Sequence, residues 1–186
     1  MFITYVRRLL AGAAVTALAL LTVQAAGATA ANAEPTTQAQ TVYYTAYGYV
    51  SQSHSAAQIW NNAVPNLNMV STSSGGSIVI YATNSGGSRA YPCGLGCATI
   101  YIDNNDVAAG HNALRIVSHE IGHGHGLGDN YNGNCAILMS GGSAGTGCTN
   151  PYPSSGEASA VNSWYGFAFA PQQETKPGVY DPTLVG

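Results

Sequence analysis

The stretch His119-Glu120-Ile121-Gly122-His123-Gly124-His125-Gly126-Leu127-Gly128-Asp129 constrains this chain more than any other. Residues four apart share a helix face, so His119 and His123 can converge on one metal ion. Gly122, Gly124 and Gly126 then argue against much more helix. A helix must therefore run into His123 and stop there. Hydrolytic zinc chemistry needs three protein ligands, an open fourth position for water, and a nearby carboxylate. Glu120 adjoins the first histidine in an H-E-x-x-H pattern and is the expected general base.

The third ligand follows from geometry. On a continuing helix His125 would point about 200° away from the ion. Asp129 lies beyond Gly126, which can take positive φ and let the chain turn back under the metal. A carboxylate oxygen is an acceptable zinc ligand, so Asp129 is the expected third one. Glu157, on a later helix, is the alternative. Two imidazoles and one carboxylate leave one zinc site with net charge near +1, enough to lower the pKa of a water toward ~7.

The leader is equally legible. Arg7 and Arg8 precede an uncharged apolar run, Leu9 to Val23, and Ala31-Asn32-Ala33 offers a cleavage site. Residues 1–33 read as a secretion signal, and 34–40 as a short leader or propeptide remnant. About 150 residues remain, the size of one domain. Past the leader the basic residues are Arg89, Arg115 and Lys176, against eight acidic ones. No basic patch exists for nucleic acid or anionic lipid, and no surface stripe suggests an interface, so a monomer is expected.

Four cysteines fit an oxidising compartment and allow three connectivities. Cys93–Cys97 and Cys135–Cys148 are favoured because each closes a Gly-rich loop. The competing arrangement is a four-cysteine zinc site.

Alternation predicts strands over Thr41–Val50, Leu67–Ser71, Ser77–Thr83, around Arg89–Tyr91, and over Ala98–Asp103. Ser53 is the expected cap of a first helix, ended by Pro65. Asn112 caps the second, whose buried side is Ala113, Leu114, Ile116, Val117 and Ile121. Ser154 and Glu157 have capping-box spacing for a third helix through Trp164. Asn104-Asn105-Asp106 reads as a turn, with Asp103 and Asp106 shaping it, and His54 and His111 as surface residues. The fold class is α+β: a mixed twisted sheet over an active-site helix, then a C-terminal helix. The folded domain covers 41–166, and 167–186 is a Pro-containing tail.

The string H-E-x-x-H-x-x-G-x-x-D resembles the metzincin signature in its aspartate variant, that of the snapalysins, small secreted bacterial neutral proteases. Leu138-Met139-Ser140-Gly141-Gly142 and Cys148-Thr149-Asn150-Pro151-Tyr152-Pro153 extend the likeness. It is specific over Asn112 to Trp164, looser back to Thr41, and absent after Gly166. The resemblance implies a zincin domain with Met139 on a Met-turn beneath the metal, bracketed by Cys135–Cys148. It implies a secreted zinc endopeptidase acting on proteins, with an antiparallel edge strand for extended substrate and preference for an aromatic residue after the scissile bond. The segment near Arg89 to Tyr91 is the expected edge. Tyr131 is a candidate contact to substrate or oxyanion. Snapalysins also carry calcium near the start of this helix, where this chain has Asn112 and Leu114 in place of an aspartate and a threonine. That substitution removes a carboxylate and argues against Ca2+. A zinc-binding module without turnover would have no use for Glu120, whereas a hydrolase of cell-wall peptides would share the whole motif.

Overall fold

The computed structural model describes residues 39–167 and the backbone of 178–180. Six strands form one sheet: β1 (Gln40–Ala46), β2 (Leu67–Ser71), β3 (Ile78–Thr83), β4 (Ser88–Gly94), β5 (Cys97–Asp103) and β6 (Gly178–Tyr180). Their spatial order is β2-β1-β3-β5-β4-β6. The first four of that order run parallel, whereas β4 is antiparallel to both β5 and β6. The helices are α1 (Val50–Ala63), α2 (Asn104–Ala108), α3 (Ala113–Gly124) and α4 (Ser155–Gly166), with a 3-10 segment at Leu138–Ala144. The sequence assigned a mixed sheet with helices, and that architecture is present. The leader and most of the tail lie outside the described residues.

Period-two patterning determines which face of the sheet is covered. Ile78 and Ile80 on β3 stand in register with Ala98 and Ile100 on β5, and all four are buried. Burying each Ile contributes about 1.5–3 kcal/mol. Trp60 of α1 fills the space between that helix and α3, and its indole N–H donates to the Ser118 carbonyl at 3.0 Å. On the outward face Tyr47, Tyr81 and Tyr101 stack in a row, and the Arg89 guanidinium lies 4.8 Å from the Tyr101 ring centre.

Several boundaries differ from expectation. β1 ends at Ala46 rather than Val50 because the chain leaves the sheet at Gly48. A Cβ there would lie 2.4 Å from the Ala82 nitrogen. Tyr49 then takes φ 50 and caps α1, which starts three residues before Ser53. Ser53 is thus inside the helix, its hydroxyl donating back to the Tyr49 carbonyl at 2.9 Å. Asn104-Asn105-Asp106 begins the short helix α2, capped by Asp103, whose Oδ1 accepts from Asn105 N. Asp106 Oδ2 accepts from both N and Oγ of Ser88 at 2.7 Å, so the two acids tie β4 to α2. His111 is buried, not superficial, and burial pushes its pKa down against the raising pull of Asp106. His54 is exposed and bonds Tyr44 Oη at 2.6 Å. The strand near Arg89–Tyr91 is not the outermost one, because β6 pairs with its outer edge.

Candidate metal centre

Helix α3 opens where Asn112 accepts a hydrogen bond from Arg115 N at 3.0 Å, and it ends at Gly124. This use of the Asn112 side chain occupies the position at which the resemblance implies a calcium ligand. The buried helix carries His119, Glu120 and His123 inward. Gly126, at φ 95, reverses the chain after it, and Gly126 N donates to the His123 carbonyl at 2.9 Å. The loop beyond returns Asp129 to the two histidines.

The three candidate ligand atoms form a near-equilateral triangle. His119 Nε2 lies 3.2 Å from His123 Nε2, and Asp129 Oδ1 lies 3.3 Å from each. Ligands about 2.0–2.1 Å from a tetrahedral zinc ion stand about 3.3 Å apart, so the triangle has the edge length that such an ion requires. Hydrogen bonding supplies a second argument. His119 Nδ1 faces the Leu138 carbonyl at 3.1 Å, and His123 Nδ1 faces the Leu127 carbonyl at 2.8 Å. Carbonyls only accept, so both Nδ1 atoms carry the proton and both Nε2 lone pairs turn toward Asp129. Three electron-rich atoms at this separation call for a cation between them. Among the described residues this is the one group of three or more His, Cys, Asp or Glu side chains able to hold a metal.

The surroundings of these groups agree with that chemistry. Burial holds the His119 imidazole below its ordinary range, outweighing the raising influence of Asp129. Burial pushes the Asp129 carboxyl up, but its close contacts with the His119 and His123 rings outweigh that and hold the group well below the usual carboxylate range. Neutral imidazoles and an ionised carboxylate are the protonation states a metal takes. His125 points elsewhere: fully buried, it edges the Trp60 ring and bonds Tyr165 Oη at 2.8 Å.

Around this triangle the structure places the remaining residues. Glu120 is fully buried beside His119. Met139 is buried in the 3-10 segment, and a Cβ on Gly122 would lie 2.8 Å from its sulfur, so the glycine between the two histidines lets the methionine close. Tyr131, partly exposed, lines the site: a Cβ on Gly141 would lie 3.1 Å from its ring and 3.2 Å from the His119 ring. Glu157 is not in the triangle. It forms the capping box of α4 with Ser154, and its carboxylate accepts from Leu138 N at 3.1 Å and Met139 N at 2.8 Å. Cys93 is bonded to Cys97, and Cys135 to Cys148.

Arg115 and Gly141 carry roles that the sequence reading missed. The buried Arg115 guanidinium donates to the carbonyls of Ile137 and Asn150 and to Ser140 Oγ, holding the Met139 loop to α3. One signal was present: Arg115 is the only Lys or Arg between Arg89 and Lys176. Gly141 has φ 55 and ψ −138, a conformation that only glycine adopts readily.

The Streptomyces extracellular neutral proteinase (M7) family model matches residues 39–168. The chain is 42% identical over 135 residues to the extracellular small neutral protease of Streptomyces lividans, covering 70% of this chain and 59% of that protein. It is 39% identical over 138 residues to that of Streptomyces sp. strain C5, covering 72% and 60%. For the Streptomyces caespitosus protein the figures are 40% over 107 residues, 58% and 80%. The chain thus spans about three fifths of the length of the first two of these relatives. All three are named as extracellular, and this chain is secreted like them. A match across 39–168, which contains the whole His119–Asp129 motif and the Met139 loop, means that the chain belongs to the extracellular neutral proteinase (M7), or snapalysin, family.

Proposed function

We propose that this protein is a zinc endopeptidase that hydrolyses peptide bonds in proteins, released after removal of residues 1–33. The carrying observation is the triangle of His119 Nε2, His123 Nε2 and Asp129 Oδ1 at 3.2–3.3 Å, on whose helix the buried Glu120 follows His119 directly. Zinc held by His119, His123 and Asp129 would supply a water of lowered pKa and a positive charge to polarise the scissile carbonyl. Glu120 takes the water's proton and passes it to the leaving amine. Its burial keeps competing solvent away from that transfer. The Leu138 and Leu127 carbonyls keep the two imidazoles oriented, while Met139 gives them an apolar floor. Tyr131, next to His119 across Gly141, contacts substrate or the developing oxyanion. Family membership supports a preference for an aromatic residue after the scissile bond.

The test compares the secreted protein with Glu120→Gln on casein, zinc content being measured in both. One zinc per chain in each, with kcat/KM lower by about 10²–10⁴ in the variant, is expected. Equal activity in the two proteins, or none in either despite bound zinc, would discard the assignment.

A further inference from the structure

The outer edge of β4 has an occupant. Gly178–Tyr180 pairs with it antiparallel, placing Tyr180 opposite Ser88, Val179 opposite Arg89 and Gly178 opposite Ala90. The same segment comes beside α3, the helix that carries His119, Glu120 and His123. The other edge of β4 is closed by β5, and β4 itself packs against α3. An extended peptide can therefore join β4 only along the edge that β6 now uses, because both need the same main-chain groups.

We infer that Gly178–Tyr180 is an intramolecular ligand of the outer edge of β4 and competes there with an extended peptide. The identity of the competitor, an extended peptide substrate, rests on the peptidase reading; the docking of the tail does not. Three residues of main-chain pairing make a weak strand, and Pro177 and Pro182 flank it without an N–H to lengthen the ladder. Tethering compensates by keeping the segment at high effective concentration. A longer substrate displaces it. Occupancy of nine-tenths would raise the apparent KM about tenfold and leave kcat unchanged.

The experiment uses the full secreted chain and a full-length variant carrying Gly178→Pro, Val179→Pro and Tyr180→Pro, which removes every N–H from the segment. With a quenched fluorescent peptide, the variant is expected to show a KM lower by about three- to tenfold at equal kcat. A synthetic peptide of residues 174–186 should raise that KM again, competitively. Fluorescence anisotropy of the same peptide, labelled, reads docking without turnover and should show tighter binding to the variant than to the parent. Binding without any peptide hydrolysis would sink the peptidase reading and leave this inference standing. No binding to the variant, with equal KM in the two chains, overturns the inference.

Discussion

Replacing Glu157 by glutamine tests whether the floor of the metal site hangs from α4. Both carboxylate oxygens are in use: Oε2 accepts from Leu138 N at 3.1 Å and Ser154 N at 2.6 Å, and Oε1 from Met139 N at 2.8 Å. Glutamine keeps one carbonyl oxygen. Turned to serve the two donors at Oε2, it sets its NH2 against the Met139 N–H, donor to donor. One charge-assisted bond worth about 1.5–3 kcal/mol is then lost, and the other two weaken. Glu157 is partly exposed, so water offsets a share, and a net loss of about 2 kcal/mol remains. For a domain of this size that lowers Tm by about 8 °C. The effect should reach the metal, because the Leu138 carbonyl also accepts from His119 Nδ1 at 3.1 Å. Removing an outer partner of this kind weakens metal binding by about 10- to 100-fold. Thermal melting by circular dichroism reads the first quantity, and zinc competition against a chromogenic chelator reads the second. A Tm within about 2 °C of the parent, with unchanged zinc affinity, would refute the reasoning.

Gly141→Ala forces an L-residue into φ 55, ψ −138 and sets a methyl against the His119 and Tyr131 rings. It should cost about 1–3 kcal/mol and weaken zinc measurably; the same chelator competition would contradict this by showing parental affinity. Buried His125 is pushed down to about 3, whereas unfolded histidine titrates near 6.5. The unfolded chain therefore takes up the proton first as pH falls. The stability contributed by neutral His125 is complete above pH 6.5 and drains as pH drops toward 3, with about 2–3 kcal/mol gone by pH 4.5. His125→Phe has no such proton to bind. Its urea midpoint should fall less between pH 6.5 and 4.5 than the parent's, and parallel curves would count against the assignment.

The helix from Ala113 to Gly124 was legible because its cap, apolar stripe and terminating glycines all act within a turn or two of one another. The same holds for β2, β3 and β5, where alternation is local. The start of α1 was not legible. Ser53 has the chemistry of a cap, but the close approach of Gly48 to Ala82 on β3 turns the chain earlier, and that contact is remote in sequence. His111 looked like a surface residue because nothing adjacent to it shows that the loop folds inward.

At the candidate site, the spacing of His119 and His123 alone dictated a shared helix face, and Gly126 alone permitted the reversal that brings Asp129 back. Those are properties of backbone geometry over the eleven residues from His119 to Asp129. The grip on the imidazoles by the Leu138 and Leu127 carbonyls, the Arg115 bonds to the Met139 loop and the suspension of that loop from Glu157 were decided by tertiary structure. So was the pairing of Gly178–Tyr180 with β4. Hydrogen bonds between distant segments depend on where the packed core carries each backbone, and a linear pattern of residue types holds no record of that.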